Sequence, residues 1–413
     1  MQKERTFILK GWGLIMSKKV MLLGGNYFQM TATKAAKRLG YHVISVDYLP
    51  DNPAHKYADE YHNVSTVDKE AVLQLAQKLK IDGIVSYASD VSAPTAAYVA
   101  EKMGLPTNPY KSVKILTNKE LFRQFLKTKG FRSPAAKAFV NYSEAKGYYE
   151  SLNCEVMLKP VDASGSKGVI KVCDTSDFEK AWSIALSNSR IKKVLVEEYI
   201  NRKGYQIDGD IFLENGKIVF WGICNQHKDY ESSAFTPIGL SYPPVQDTNI
   251  QNTAKELIQS ILDSLNMKIG AYNVEYIVDS NNNVNVLEIG PRNGGNLIPD
   301  VIKSSTGIDM AELTIKQAVN DDIKWLDYSL KTKFASSYII HSKKNGRYSS
   351  LEISDQIKDD ILRLDVFVKK NDMVHKYENS SYGIGAMLIK HKSVEEMLYR
   401  MDNMEEFIKV IVS

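Results

Sequence analysis

The sequence predicts an α/β unit followed by α+β units, arranged in about three domains. The chain has 413 residues, and a single hydrophobic core rarely extends beyond about 250–300 residues. From residue 20 onward, short apolar runs alternate with glycine turns and helical patterns, which is typical of a parallel sheet covered by helices. Antiparallel signals follow, among them a strong hairpin turn at Asn215–Gly216.

The composition narrows the class of protein. A hydrophobic fraction of 44% and a charged fraction of 25% are ordinary for a globular chain, which excludes wholesale disorder, collagen and a disulfide scaffold. The net charge is only +4 and like charges form no blocks, so we expect neither a nucleic-acid partner nor a membrane surface. No run of about 18 apolar residues is present. Cys154, Cys173 and Cys224 lack metal spacing and cannot all pair, so we expect a reducing, cytoplasmic location.

The first strand is preceded by a segment that we interpret as an extension. Residues 1–15 contain faintly apolar stretches, but Lys10 interrupts them and no small-residue cleavage site follows, which disfavours a signal peptide. Met16 stands just ahead of a strong strand pattern, as a natural start would. We expect residues 1–15 to have no role in the fold.

The first unit is predicted to span residues 16–112. Its elements are strands at 20–23, 43–46 and 83–86 and helices at 32–39 and 73–79. Ligands of such sheets bind beyond the carboxyl ends of the strands. The turn at Gly24–Gly25 does not complete the dinucleotide-binding pattern, because Tyr27 and Met30 stand where glycines are needed.

The rhythm breaks near residues 105–109, which indicates a domain boundary. We expect a central unit at 113–325 and a C-terminal α+β unit at 326–413. The predicted elements are a helix at 121–126, strands at 156–159 and 194–197, a helix at 251–266, strands at 337–340 and 385–389, and a closing helix that holds residues 397–407.

Two glutamates stand in one predicted hairpin. If residues 280–283 form the loop, Asp279 faces Val284, and Glu275 lies directly opposite Glu288 at roughly 5 Å. Like charges so placed repel each other. A divalent cation would remove this penalty, and Mg²⁺ is usually held by one or two carboxylates plus nucleotide phosphates. The alternative is that one glutamate is solvated or pairs with a lysine or arginine.

A lysine and a small-residue loop follow another apolar strand. Lys159 precedes Pro160, and the loop consists of Ser164, Gly165, Ser166, Lys167 and Gly168. Such a loop can lay backbone N–H groups against phosphate oxygens while lysine supplies a point charge. The alternative is an ordinary hairpin tip. We expect the loop to make few tertiary contacts and to be mobile without nucleotide.

A third segment runs from a strand into an extended stretch. Glu197 and Glu198 are followed by Tyr199 and Ile200, which could present backbone groups to an adenine edge between apolar walls. The alternative is a strand that simply emerges into solvent.

The order of these segments resembles the ATP-grasp superfamily. The order is Asn118–Lys119, Lys159–Pro160, the loop 164–168, the segment 197–200, Glu275 and Glu288. The stretch that begins at Glu288 and ends at Gly295 is similar to the Glu-Ile-Asn-Pro-Arg-x-Gly-Gly motif of that superfamily. The resemblance covers residues 18–320 and is to the carboxylate–amine ligase branch, with bacterial L-amino-acid ligases, biotin carboxylase and the large subunit of carbamoyl-phosphate synthase. It implies an ATP-grasp fold with a Rossmann-like first domain.

The resemblance implies ATP and Mg²⁺ as cofactors, with Mn²⁺ as a substitute, and assigns roles by position. For the nucleotide, Lys119 and Lys159 would contact the phosphates, Gln206 would contact the ribose, and adenine would be held by Glu197, Glu198, Tyr199 and Ile200. Residues 164–168 would form a lid within a mobile subdomain at about 130–200. Glu275 and Glu288 would bind the metal, and Arg292 would face the acyl phosphate or the substrate carboxylate. Two positions depart from the pattern. Gly290 replaces the asparagine that often supplies a third metal ligand, and Gln206 replaces a glutamate.

The activity implied is an ATP-dependent ligation in which a small carboxylate, an amino acid or a related acid, is activated as an acyl phosphate and coupled to an amine. Two alternatives stay open at this point: formation of carboxyphosphate from bicarbonate, and a nucleotide-binding regulator with a decayed site. The expected partners are small-molecule substrates, and a homodimer is compatible with the family.

Overall fold

The computed structural model describes residues 17–233, 235–323 and 333–413. The predicted extension at 1–15 and the predicted boundary between residues 325 and 326 lie outside these ranges. The described chain forms a parallel sheet, a small antiparallel sheet, and a long antiparallel sheet that continues into the C-terminal part, with a short three-stranded sheet beside it.

The first unit is a parallel sheet in the order β3-β2-β1-β4. Its strands are β1 (Lys19–Leu23), β2 (His42–Val46), β3 (Glu60–His62) and β4 (Gly83–Ser86), and its helices are α1 (Met30–Arg38), α2 (Lys69–Leu79) and α3 (Ala93–Met103). The apolar runs that predict strands form β1, β2 and β4, and nearly all their side chains are buried. Asp68 begins α2 by accepting a hydrogen bond from the Ala71 amide.

Two helices lead into a small antiparallel sheet. They are α4 (Tyr110–Leu116), which contains the predicted boundary between residues 112 and 113, and α5 (Lys119–Thr128). The sheet has the order β5-β8-β6-β7 and lies within residues 136–198. Its strands are β5 (Ala136–Phe139), β6 (Val156–Pro160), β7 (Ile170–Val172) and β8 (Val194–Glu198), and the helices α6 (Tyr142–Leu152) and α7 (Phe178–Ser187) cover it. We call this part, residues 136–198, the lid unit.

The long sheet has eight strands in the order β13-β12-β9-β10-β11-β14-β18-β16. Its first five strands along the chain are β9 (Gln206–Glu214), β10 (Lys217–Lys228), β11 (Pro237–Tyr242), β12 (Gly270–Val278) and β13 (Val284–Gly290), of which β13 is at the edge. The predicted turn joins β9 to β10, with Asn215 at φ 52° and Gly216 at φ 80°, the left-handed conformations that a tight hairpin needs. Helix α8 (Thr248–Ser264) buries its apolar face against the sheet.

The C-terminal part extends this sheet. It comprises β14 (Phe334–Ile340), β15 (Gly346–Ile353), α11 (Asp355–Lys358), β16 (Ile361–Val366), β17 (Met373–Val374), β18 (Gly385–His391), α12 (Val394–Asp402) and β19 (Ile408–Val412), after the helices α9 (Ile298–Thr306) and α10 (Met310–Ala318). The prediction of a closing helix through residue 407 was wrong. Helix α12 ends at Asp402, and the chain then forms β19, which pairs with β15.

Helix α10 does not pack only on its own unit. Ala311, Ile315 and Ala318 belong to one buried cluster with Val20, Val43 and other residues of the first sheet. A Cβ at Gly83 would come within 2.4 Å of the Ala318 carbonyl oxygen, so β4 and the end of α10 touch closely. The first unit is therefore completed by residues 311–318, which lie about 200 residues after the end of α3.

Candidate functional site

One cavity of about 1070 Å³ lies where the units meet. Residues after β1, β2 and β4 line one side, as expected for the carboxyl ends of parallel strands. The lid unit, the long sheet and the C-terminal part line the others. Every residue that the sequence nominated for nucleotide or metal binding lines this cavity, apart from Gly168 at the end of the lid loop.

Lys159 leaves the end of β6 and forms an ion pair with Glu197 of β8. The other carboxylate oxygen of Glu197 accepts a hydrogen bond of 2.6 Å from Arg123 Nε. Glu197 is buried, and despite that burial the Arg123 and Lys159 cations lower its pKa to about 2. The Glu197 side chain is thus committed to holding two cations, and its backbone lies within the sheet between Ala136 and Met157, so the adenine role that the resemblance implies falls to the residues that follow it.

Lys119 begins α5 and stands on another wall. Its Nζ donates a hydrogen bond to the Ala163 carbonyl (2.9 Å) and lies 3.3 Å from Glu288 Oε2. Burial alone would lower the pKa of Lys119, but Glu288 and Asp90 more than offset this and raise it. Lys119 therefore links the start of the lid loop to the predicted metal ligands in its charged form.

Glu275 and Glu288 are paired directly across β12 and β13, as the sequence predicts. The predicted pairing of Asp279 with Val284 was wrong, because Val278 takes that place. The register shifts by one residue at a β-bulge after Glu275, and Leu287 is the extra residue. The bulge compensates for a loop one residue longer than assumed, so the glutamates still lie opposite each other.

The two glutamates have different surroundings. Glu288 has Lys119, whereas Glu275 accepts a hydrogen bond of 2.9 Å from the neutral Gln206 amide. Burial, Asp208 and Glu288 raise the pKa of Glu275 to about 8. Of the two glutamates, Glu275 is therefore the one that the neighbouring carboxylates destabilise in its charged form.

Sequence reasoning missed an acidic and polar layer beneath this pair. Asp208, opposite Glu275 on β9, is buried and has a pKa raised by burial to about 6. The side chain of Gln206 is already hydrogen-bonded to two protein groups: it donates to Glu275 and accepts from Lys228 Nζ, and both bonds are 2.9 Å long. It is therefore not free to contact a ribose by itself. Burial lowers the pKa of Lys228 to about 8. Alternating polar residues on β9, such as Asp208 and Asp210, were the available signal.

These residues fit a magnesium ion. Glu275 is a half-buried carboxylate with a strongly raised pKa, and a second carboxylate faces it, which is the charge pattern that a divalent cation relieves. Within the described ranges, no three His, Cys, Asp or Glu side chains form a metal cluster of their own. Two protein carboxylates with phosphate oxygens is a common arrangement for Mg²⁺.

Arg292 is already occupied by a carboxylate from the first unit. Its Nε and Nη2 donate to Asp90 at 2.8 and 2.5 Å, and Nη1 donates to the Asn293 carbonyl at 3.2 Å. Asp90 was not nominated from the sequence, although it follows β4 at the carboxyl end of a parallel strand. Both side chains line the cavity.

The loop at 164–168 is docked rather than free. Ser166 Oγ donates a hydrogen bond to the Phe235 carbonyl (3.0 Å), and the Ser380 amide donates to the Gly165 carbonyl (3.2 Å). Gly165 at φ 67°, Ser166 at 61° and Gly168 at 69° adopt left-handed conformations. The expectation of few tertiary contacts was therefore wrong, since the loop lies against both the connection between β10 and β11 and the C-terminal part.

The segment after β8 lines the cavity beside the lid. The Tyr199 amide donates to the Glu155 carbonyl (2.9 Å), and Lys171 Nζ lies 4.0 Å from the centre of the Tyr199 ring. Glu198 accepts a hydrogen bond from the Ala135 amide (3.1 Å). Tyr199 is thus fixed by its backbone and ring, and Ile200 follows it along the wall.

No helix in the described part of the chain is long and apolar enough to cross a bilayer. The three cysteines are free thiols, two exposed and one buried.

Comparison with known proteins agrees with this geometry. Residues 152–300 match the ATP-grasp domain family. The chain is 27% identical over 386 residues to a formate-dependent phosphoribosylglycinamide formyltransferase from Methanocaldococcus jannaschii, covering 89% of this chain and 91% of that one. It is 26% identical over 290 residues to the protein of the same name from Prochlorococcus marinus, covering 67% and 71%.

The fold is also similar to that of the L-amino acid ligase from Bacillus licheniformis, with a TM-score of 0.81 and 19% identity over 96% of this chain and 99% of that one. The matched domain contains Lys159, the loop 164–168 and the opposed glutamates, which are the features that the cavity brings together. Residues 152–300 therefore form an ATP-grasp domain, within a chain that is similar over most of its length to the two formyltransferases.

Proposed function

We propose that this enzyme activates a small carboxylic acid, an amino acid or a related acid, as an acyl phosphate and couples it to an amine. One observation supports this most: two lysines, two opposed glutamates and an arginine from separate units line a single cavity. Lysines suit phosphate oxygens, the glutamates suit a divalent cation, and the arginine suits a carboxylate.

In the first step a carboxylate oxygen of the substrate attacks the γ-phosphorus of ATP, and the bond to ADP breaks. Lys119 and Lys159 would hold the phosphate oxygens and balance the charge that moves between them. Glu197 and Arg123 fix Lys159 so that it needs no reorganisation. Glu275 and Glu288 would hold Mg²⁺, which supplies additional charge compensation when bound.

In the second step the amine nitrogen attacks the acyl carbon, inorganic phosphate leaves, and the amine gives up a proton. Water would compete as a nucleophile, so the reaction needs a closed cavity. The contacts of the loop 164–168 with Phe235 and Ser380 support its proposed role as the lid. We propose residues 113–325 as the nucleotide-binding domain, with 130–200 as its moving part.

Adenine would lie against the segment 197–200. Since the Tyr199 amide is bonded to Glu155, we propose that the next residue, Ile200, presents its backbone to the adenine edge. Gln206 would act on the nucleotide through Lys228 and Glu275, which it bridges.

The experiment is an ADP-release assay with Mg²⁺-ATP across amino acids, other small carboxylates and bicarbonate, each with and without an amine. We expect release that requires both an organic acid and an amine, with an amide product detected by mass spectrometry. Release with bicarbonate alone would support a carboxyphosphate-forming enzyme instead. No release with any acid, while ATP still binds, would support a decayed site.

A further inference from the structure

The ion pair between Asp90 and Arg292 joins two units inside the cavity. Asp90 lies beyond β4 of the first unit, and Arg292 lies just beyond β13 of the long sheet. The contact is bidentate, and the two side chains are only 12% and 10% exposed. Bidentate, largely buried pairs of this kind are geometrically specific.

Gly290 makes room for this pair. A Cβ at position 290 would lie 2.7 Å from Asp90 Oδ1 and 3.0 Å from Arg292 Cζ. Gly290 is also the position at which the resemblance leads one to expect a side chain. The carboxylate of Asp90 thus occupies space that a side chain at 290 would otherwise take.

The pair limits which substrate Arg292 can accept. Of the five N–H donors of a guanidinium, two go to Asp90 and one to the Asn293 carbonyl, so two remain. A carboxylate that approached them would add a negative charge beside Asp90, in a cavity that already contains Asp208, Glu275 and Glu288. A substrate that carries a cation next to its carboxylate avoids this, because it adds no net charge.

We propose that Asp90 is a specificity-determining residue that selects α-amino acids as the acid to be activated. The substrate carboxylate lies on the free donors of Arg292, and its α-ammonium group lies on Asp90. A protonated ammonium group has no lone pair, so Asp90 also prevents that nitrogen from acting as the nucleophile. This inference rests on the proposed function and narrows its acid from any small carboxylate to a zwitterion.

The test compares each amino acid with its deaminated analogue. The probes are L-alanine with propionate, L-leucine with 4-methylpentanoate, and L-phenylalanine with 3-phenylpropionate, since Tyr27, Phe28 and Leu49 give the cavity apolar walls. Hydroxylamine serves as the amine, and ADP and hydroxamate are measured. We expect wild-type enzyme to favour at least one amino acid over its analogue by about 100-fold or more in kcat/KM.

The decisive variant is Asp90→Asn. It should lower kcat/KM for the amino acid so that the preference for the amino acid over its analogue falls about 100-fold, because the variant removes both the partner of the ammonium group and the charge that disfavours a lone carboxylate. Calorimetry with the same probes on enzyme saturated with Mg²⁺ and a non-hydrolysable ATP analogue should show the same loss in binding. Parallel losses for both acids would mean that Asp90 only positions Arg292, and would overturn the inference.

A second pair of variants tests the role of Gly290. Gly290→Ala should reduce the preference for the amino acid by crowding Asp90, whereas Gly147→Ala, at a helical position with open space around it, should leave it unchanged. An unchanged preference in Gly290→Ala would count against the inference. Wild-type enzyme that uses the deaminated acids equally well would overturn the role of Asp90 alone, while absence of ADP release with every acid would overturn the proposed function as well.

Discussion

A single buried carboxylate organises the wall of the cavity that carries Lys159. Glu197 has one oxygen on Lys159 and the other on Arg123, and the two cations together outweigh the penalty of its burial. A glutamate at the end of a strand, read from sequence alone, is as compatible with solvent as with this role. The partner that decides between these two possibilities is Arg123 on α5, which lies 74 residues before Glu197 in the sequence.

Lys159→Ala should lower ATP turnover by about 100-fold or more, because it removes a fixed charge from the γ-phosphate. The protein should stay folded, since Arg123 still balances Glu197. Lys316→Ala is the matched control, because Lys316 is also partly buried and ion-paired, with Glu312, but lies outside the cavity. Normal turnover in the Lys159 variant, measured as ADP release, would remove this lysine from the site.

The unequal surroundings of the two glutamates predict unequal effects of neutralising them. Folded protein keeps a proton on Glu275 up to about pH 8, whereas an unfolded chain releases it near the ordinary value of 4.5. The folded state therefore binds more protons between these pH values, and the free energy of unfolding falls as pH rises through this window. Glu275→Gln should remove that loss and raise the melting temperature at pH 8 by about 2 °C without Mg²⁺.

The control is Glu288→Gln, which also loses the ion pair with Lys119 and should give no gain at pH 8. At pH 5 neither variant should melt above wild type. Both should lose the stabilisation that Mg²⁺-ATP gives wild type, because ligand stabilisation follows affinity. Equal gains for the two variants at pH 8, in differential scanning calorimetry, would contradict this account of the pair.

At the scale of elements, the sequence was sufficient to predict a helix, strand or turn wherever residues close in sequence determine it. The runs that form β1, β2 and β4, the Asn215–Gly216 turn and the face of α8 are set by side chains close in sequence. The bulge at Leu287 was missed, because a one-residue shift depends on packing across strands, and the end of α12 was missed because the residues after it pair with the distant strand β15. In the site, residue types near strand ends could be nominated, but Asp90 and Lys228 needed the fold to show their partners.

The lid loop gives a prediction with a closely matched control. Gly165 and Gly104 have φ values of 67° and 68°, but a Cβ at Gly165 would lie 2.1 Å from Ser380 Oγ, while nothing lies within 4 Å at Gly104. Each Gly→Ala change should cost about 1 kcal/mol through left-handed strain. Only Gly165→Ala should also lower turnover, by about 10-fold, since it prevents the loop from docking.

Hydrogen exchange reports on the same loop directly. A non-hydrolysable ATP analogue should slow exchange across residues 163–169 in wild type and in Gly104→Ala, and less so in Gly165→Ala. Unchanged exchange in wild type at saturating nucleotide would mean that this loop is a hairpin tip and that the phosphates are held elsewhere.

At the scale of the whole molecule, three units meet at Arg363. It donates to Asp365 of its own strand at 2.6 Å and to Asp300 of α9 at 3.1 Å, and it lies 5.0 Å from the centre of the Tyr27 ring in the first unit. Tyr27 also donates a hydrogen bond to Asp365. This contact joins the first unit to the C-terminal part at the edge of the cavity, which Tyr27 lines.

Arg363→Gln should lower the free energy of unfolding by about 1–3 kcal/mol, because it leaves partly buried carboxylates without their cation. Lys343→Gln is the control: Lys343 also bridges two carboxylates, Glu231 and Glu405, but these lie in solvent. Its effect should stay below about 1 kcal/mol. Equal losses in urea denaturation would mean that burial at Arg363 is of no consequence for stability.

The position of α10 on the first sheet also matters while the chain is being made. The face formed by Val20, Val43 and their neighbours is covered in part by α1 and completely only when Ala311 and Ile315 have been added. At about 5–20 residues per second, the roughly 210 residues between the end of α3 at Met103 and Ala311 take on the order of 10–40 s to synthesise. During that time the nascent chain carries an open apolar face, the kind of surface that chaperones bind and that associates between neighbouring ribosomes. A chain released before α10 should therefore aggregate or remain chaperone-bound, and a chain released just after it should not.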